Sequence, residues 1–546
     1  MQWFIPLLLL GVSFTLWVSI AVARMAAETP TLRGGATGAS QSQPRLVPAD
    51  VAVVIPAHNE ELGIAATVGA VLRLVPAGNV HVVADGCEDS TAALARQQGV
   101  HVLELYPGRG KAGGIEAALS HFDLSRHFAV LLIVDADTEV DEHYVERGLR
   151  LLEEDGMVAL AGYARTTWRP DELSFVGRLL VAYRTRLYAV MQWMKYGQTW
   201  RHTNVTSIVP GFASMYRTAV LPRMDLNPPG LVIEDFNMTF ELHHKRLGKI
   251  AFLPSVFAKT QDPDNLPDYY RQVTRWWLGF WQTLRRHKLW LSWFSAALGL
   301  FLLEVVLASV VLILIALAIL LLALPSLTGG LILQWDWFAI FADAAAPLFS
   351  PINLLLFLFL PDYLLTCLAA IWTRRPSLLV YGLGFLPIRL IDATATLRTL
   401  PQAWSAQSNG QWKSPARRAI AAPADGAAAA TPPAGPAGAS HATATALRER
   451  TPSPKERRTP DRQRRPVLLD ALIVGDVLLL AALSALALPL LSLLAAGILA
   501  VAGATVSSYR WPLPRPSRPG RPAALAVLFV GTVILALIAA TLAGHQ

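Results

Sequence analysis

Between residues 50 and 140 short apolar runs alternate with helical stretches, and after residue 290 long uninterrupted apolar runs take over. Val51-Ala-Val-Val-Ile55 is a buried-strand pattern stopped by Pro56, and Glu60 to Arg73 repeats its apolar residues at helical spacing. Val80 to Asp85 predicts the next strand, a helix follows Ser90, Val100 to Leu105 predicts a third strand, and another helix opens at Lys111. Ala129-Val-Leu-Leu-Ile-Val134 is the strongest strand pattern, and it closes on Asp135-Ala-Asp137. Alternation of this kind predicts an α/β domain, a parallel sheet covered by helices, with ligands at the carboxyl ends of the strands.

The long runs predict a multi-pass helical membrane region. Residues 1–24 read as an uncleaved anchor with its N-terminus outside: Trp3 to Ala23 spans about one bilayer and Arg24 follows, although Ala21-Val-Ala23 leaves cleavage open. Residues 25–49 read as a linker and 50–288 as a cytoplasmic domain. Within 289–413, Leu289 to Ser295 reads as interfacial, Ala296 to Leu324 crosses, and Ile352 to Trp372 crosses back ahead of Arg374-Arg375. Leu378 to Leu400 is interrupted by Pro387, Arg389, Asp392 and Arg398, so span, interfacial helix, re-entrant helix and wall of a polymer channel stay open. Residues 414–465 are Ala/Pro/Thr-rich and then basic, a disordered linker, and 466–546 hold further apolar helices with no chemistry of their own.

Composition narrows the classes. With 53% hydrophobic residues and a mean hydropathy of +0.40 the chain is too apolar for an ordinary soluble protein. The net charge of +8 comes from cations that flank apolar runs, which argues against nucleic acid as a partner. Two distant cysteines, Cys87 and Cys367, suggest neither a disulfide framework nor a zinc site.

The candidate chemistry sits at three polar strand ends. They are Pro56-Ala-His58-Asn59-Glu60-Glu61, Asp85-Gly86-Cys87-Glu88-Asp89, and Asp135-Ala-Asp137. Two carboxylates closing an apolar strand repel each other unless a cation or hydrogen-bond donors satisfy them, and a divalent ion shared with substrate phosphates is the usual solution. Gly108-Arg-Gly-Lys111 is a basic glycine loop opening a helix, suited to phosphate. No Gly-rich Lys-Ser/Thr loop accompanies it, so ATP hydrolysis is not supported. Glu234-Asp235 opens a further helical stretch, where acids are favoured in any case. Gln272-Val-Thr-Arg275-Trp276-Trp277 begins the join between the charged and the apolar halves, and its composition also fits a membrane-interface belt.

Taken together, Val54-Ile55-Pro56-Ala-His58-Asn59-Glu60, Asp85, Asp135-x-Asp137, Ile233-Glu234-Asp235 and Gln272-x-x-Arg275-Trp276 resemble, in order and spacing, the membrane-embedded family-2 glycosyltransferases. That group includes the cellulose, chitin, hyaluronan and poly-N-acetylglucosamine synthases. The resemblance implies a GT-A fold, Rossmann-like with a mixed sheet, for the catalytic domain. It implies donor contacts at Pro56, His58, Glu60, Asp85, Lys111, Asp135 and Arg275, and a Mg2+ or Mn2+ ion on Asp137 and Asp135. Acceptor contacts are implied at Gly211, Tyr216, Gln272 and Trp276, and catalysis at Asp235 with Glu234. Ile233 departs from the common Thr before Glu-Asp, with both carboxylates retained. His243, His244 and Cys87 are given no metal.

The expected reaction is inverting hexosyl transfer from a nucleotide sugar, UDP-N-acetylglucosamine or UDP-glucose. Asp235 takes the proton of the attacking hydroxyl, while Arg275 and the metal stabilise the leaving diphosphate. The expected setting is the plasma membrane, with the lipid bilayer and accessory export subunits as partners. Processive extension of a polysaccharide is the first reading. Transfer of a single sugar to a lipid, making a glycolipid, is the second.

Overall fold

All seven side chains of Val51–Ala57 and all five of Val130–Val134 are buried, which makes these strands the floor of the domain. The computed structural model describes residues 45–195, 200 and 203–406. The anchor expected at 1–24, most of the linker at 25–49, and everything expected between 407 and 546 lie outside the described residues.

The described strands are β1 (Val51–Ala57), β2 (Val80–Asp85), β3 (His101–Leu105), β4 (Val130–Val134), β5 (Glu139–Val140), β6 (Met157–Thr166), β7 (Ala213–Arg217) and β8 (Lys249–Thr260), in one sheet of order β3-β2-β1-β4-β7-β6-β8-β5. From β3 to β4 the sheet is parallel, with Val53 opposite Val80 and Leu132. β7 reverses direction against β4, pairing Leu132 with Met215, and β6 lies antiparallel to β7 but parallel to β8. The parallel half follows the sequence pattern. The mixed half corrects the expectation of a wholly parallel sheet and agrees with what the resemblance implies.

Helices α1 (Ile64–Leu72), α2 (Thr91–Gln97), α3 (Gly110–His121) and α4 (Tyr144–Leu152) pack against the sheet. α5 (Phe175–Tyr188) starts at Ser174, whose side chain accepts from Gly177 N, and runs into a π-helical turn at Ala189–Lys195. α6 (Glu234–His244) carries the acidic pair at its N-terminus. α7 (Leu266–His287) is capped by Asn265, which accepts from Asp268 N, and stops at Lys288 with φ 58°.

Beyond α7, α8 (Trp293–Leu327) and the helical stretch 377–405 are long and apolar enough to cross a membrane. Between them come α9 (Asp336–Ala345) and an unbroken helical stretch that covers the crossing expected at 352–372, made of a turn at Pro351–Leu354, a π turn at Leu355–Phe359 and α10 (Leu360–Thr373). α11 (Phe385–Ser405) is the main helix of the interrupted segment, and Arg389, Asp392 and Arg398 on it each have a protein partner. Arg389 donates to Asp362 at 2.6 Å, and Arg186 of α5 grips the same carboxylate with bonds of 2.7 and 2.5 Å. Asp392 accepts from Tyr183 of α5 and Tyr269 of α7, both at 2.7 Å. Removing one partner from such a buried cluster costs about 3–5 kcal/mol. The breaks in the 378–400 pattern are therefore the face by which α11 holds the catalytic domain.

Candidate active site

The carboxyl ends of β1 and β4, the N-termini of α3 and α6, and one face of α7 converge on a cleft of about 540 Å³. Asp85, at the end of β2, accepts from Arg109 N at 2.6 Å and Gly110 N at 2.7 Å and so folds the glycine loop back over the sheet. Gly110 has φ 75°, a conformation that suits glycine at this turn. The loop delivers Lys111, whose Nζ lies 2.7 Å from Asp135 Oδ1, 2.9 Å from Glu234 Oε1 and 3.1 Å from Gly211 O. One ammonium thus ties the end of β4 to the start of α6.

The electrostatics follow from burial and from that ammonium. Burial opposes the charge on Lys111, but Asp135 and Glu234 outweigh it and raise its pKa. Burial and the neighbouring Asp137 push Asp135 up against the pull of Lys111. For Glu234 the same burial is more than offset by Lys111, which holds this carboxyl below its usual range. Asp235 is different. Burial, then the adjacent Glu234 charge, push it up to about 7, against stabilising bonds from Gly211 N at 3.1 Å and Phe236 N at 2.7 Å. Two adjacent carboxyls driven apart in this way suit one permanently charged group and one proton acceptor near neutral pH.

The structure brings together most of the residues singled out in the sequence. Pro56, Glu60, Lys111, Asp135, Asp137, Gly211, Glu234, Asp235, Gln272, Arg275 and Trp276 all line the cleft. Three do not. His58 Nδ1 sits 2.7 Å from the Asp85 carbonyl oxygen, and Asp85 spends both oxygens on the loop, so these two shape the donor end from behind. Tyr216, for which the resemblance implies an acceptor contact, is buried in β7 between β4 and β6, and burial, then the Asp235 charge, raise its hydroxyl pKa. His243 stacks on Phe294 and lies 2.9 Å from Thr206 O, a structural setting.

Two further lining residues, Arg184 and Phe301, carried no sequence signal. Arg184 of α5 donates to Gln272 at 2.7 Å and lays its guanidinium 4.3 Å from the Trp276 ring centre, so the face of α7 expected to meet an acceptor already carries a cation. Phe301 of α8 and Asp392 of α11 also reach the cleft, which therefore runs from Asp235 to these two helices. Asp135 and Asp137 supply two hard oxygen donors at one strand end. Among the described residues no three His, Cys, Asp or Glu side chains converge as a metal cage. Two carboxylates fit a divalent ion whose remaining ligands are substrate phosphates and water, not one caged by protein alone.

Residues 48–279 match the model of the family described as "Glycosyltransferase like family 2". A probable glycosyltransferase of Bacillus subtilis, YdaM, is 26% identical over 239 residues, 41% of this chain and 54% of the relative, so the chain spans about half the length of that protein. An undecaprenyl-phosphate mannosyltransferase of Micrococcus luteus is 27% identical over 249 residues, 43% of this chain and 97% of the relative. Among solved structures, the mannosyltransferase PcManGT from Pyrobaculum calidifontis, in complex with GDP-Man and Mn2+, aligns with 62% of this chain and 99% of its own at 18% identity and a TM-score of 0.37.

Proposed function

We propose that the family-2 glycosyltransferase domain at residues 48–279 transfers a hexosyl group, with inversion, from a nucleotide sugar to an acceptor that approaches from the membrane side. One observation carries the reading: Asp235, pushed up to about 7, shares a cleft with the Lys111 bridge and the Asp135–Asp137 strand end.

The donor diphosphate lies at the Asp135 end of the cleft, beside Lys111. A Mg2+ or Mn2+ ion held by Asp137 and Asp135 would neutralise charge on the leaving diphosphate. The acceptor hydroxyl attacks the anomeric carbon, its new bond to carbon forms as the bond to the diphosphate oxygen breaks, and its proton passes to an Asp235 oxygen. Gly211 N and Phe236 N orient that carboxylate through both oxygens. Glu234 remains charged beside Lys111, and Arg275 adds a planar cation at the cleft wall for diphosphate oxygens. Donor sugars to test first are UDP-N-acetylglucosamine and UDP-glucose, with GDP-mannose beside them because a relative acts as a mannosyltransferase.

Two acceptors are compatible with the cleft. A lipid-borne acceptor is the better supported, because the Trp276 face nearest α5 is covered by Arg184 and the cleft continues past it to Phe301 on a helix long and apolar enough to cross a membrane. The Micrococcus luteus relative is named for a lipid phosphate, which agrees with that choice. Processive extension of a polysaccharide is the second reading, favoured by Gln272, Arg275 and Trp276 standing together at the cleft wall. The full-length protein in lipid nanodiscs, given radiolabelled nucleotide sugars, separates them. Label extracted into organic solvent supports the lipid acceptor, and label in high-molecular-weight aqueous material overturns it. Absence of nucleotide release from every sugar, or full turnover by Asp235→Asn, removes the reaction itself.

A further inference from the structure

Arg184 is fully buried and yet lines the cleft. Its guanidinium carbon lies 4.3 Å from the Trp276 ring centre and 4.6 Å from that of Tyr269, a cation held by two aromatic faces. Nη2 donates to Gln272, while Nε makes no hydrogen bond even though no solvent reaches it. Asp262 stands 3.9 Å from Nε, close enough to balance charge and too far to accept a hydrogen bond. A buried N–H left unmade is costly, and a ligand oxygen, above all an anionic one, is the group that would satisfy it.

Along the same helix the chemistry changes. Leu187 and Met191 follow Arg184 on one face of α5 and its π continuation, and both line the cleft. Seven residues of helix advance about 10 Å. Phe301 of α8 meets the far end, and one turn further on the same helix Glu304 is neutralised by Lys195 at 3.0 Å. The stripe therefore runs from a buried cation, over hydrocarbon, to a helix long and apolar enough to cross a bilayer.

We propose that this stripe is the acceptor subsite and that it takes an amphipathic anion, with a phosphate against Arg184 and a hydrocarbon chain along Leu187 and Met191 toward Phe301. The inference rests on the reading that the acceptor is lipid-borne, and it adds the headgroup chemistry and the residues that select it. A neutral polysaccharide offers neither the charge for Arg184 nor the chain for Met191.

Dodecyl phosphate carrying a chain-end diazirine is the probe, with the full-length protein in phosphatidylcholine nanodiscs. Photolabelling is expected on the peptides that contain Leu187, Met191 and Phe301. Excess unlabelled dodecyl phosphate should compete, while dodecanol and inorganic phosphate should not. Arg184→Gln should reduce labelling at least tenfold, and Arg184→Lys should retain more than Arg184→Gln. Labelling confined to other peptides, equal competition by dodecanol, or unchanged labelling in Arg184→Gln overturns the proposal. Should Arg184→Gln fail to fold, Met191→Glu places a carboxylate in the hydrocarbon path and is expected to reduce labelling by a similar factor, and no reduction there is equally decisive against the proposal. Photolabelling needs no turnover. Lost labelling with nucleotide release intact therefore removes the subsite alone, and intact labelling with no nucleotide release from any sugar removes the transferase reading alone.

Discussion

Gly211 donates its backbone N–H to Asp235 Oδ2 at 3.1 Å, and its α-carbon leaves no room for a side chain. A methyl group there would stand 2.7 Å from Lys111 Nζ and 2.9 Å from Glu234 Oε1. Gly211→Ala is therefore expected to part the ion pair and tilt the base. Small misplacements of this kind cost about a hundredfold in rate. Steady-state kinetics should show the loss in kcat, with the far-UV circular dichroism spectrum unchanged.

Asp235 sets the pH profile. Its carboxyl is protonated below about 7 and cannot then accept a proton from the acceptor, so kcat/KM should rise with pH through about 7 and level off above it. Glu234, held low by Lys111, stays charged across that range and contributes no second step. Lys111→Met removes the cation that opposes protonation of both acids. The midpoint of the profile should move to higher pH, which a series of initial rates across pH 5–9 would read.

Chelation should stop turnover. With EDTA the release of nucleotide diphosphate is expected to fall to background and to return with Mn2+ or Mg2+. Asp137→Ala should lower kcat by about a hundredfold at saturating metal, equivalent to about 2.7 kcal/mol of lost transition-state stabilisation. Isothermal titration of Mn2+ with the nucleoside diphosphate present would locate the same defect in binding.

Gly279 of α7 packs against the residue that precedes α6. A Cβ at this position would lie 2.8 Å from both Cβ and Cγ1 of Ile233, the residue just ahead of Glu234. Overpacking of this order costs about 1–3 kcal/mol. Gly279→Ala should lower both the thermal midpoint and kcat, and Ile233→Ala, which removes the opposing Cγ1, should recover part of each.

The sequence carried the parallel half of the sheet because buried parallel strands are continuous apolar runs, as in Val51–Ile55 and Ala129–Val134. It did not carry β6, β7 and β8, whose mixed pairing depends on which strand reverses, a tertiary choice with no local signature. Most of the site was legible for a related reason: Asp135, Asp137, Glu234 and Asp235 lie at element ends, where short motifs keep their spacing. Arg184 was invisible because its significance depends on Trp276 and Gln272, which lie far away along the chain and next to it in space. Arg389 and Asp392, which interrupted an apolar segment, became intelligible only with Asp362, shared with Arg186, facing Arg389, and with Tyr183 and Tyr269 facing Asp392.

Gln282 makes two bonds that point in opposite directions: its Oε1 accepts from Val232 N at 3.1 Å, just before the catalytic acids, and its Nε2 donates to Ala406 O at 3.0 Å, at the end of α11. Asp235, the proposed base, is thus three residues and one side chain away from the last turn of a helix that ends a stretch long and apolar enough to cross a membrane. Solubilisation becomes a chemical variable. A detergent that unseats the 385–405 helix will silence the enzyme while the sheet still melts at its usual temperature, so the choice of lipid in a reconstitution will read out as turnover before it reads out as stability.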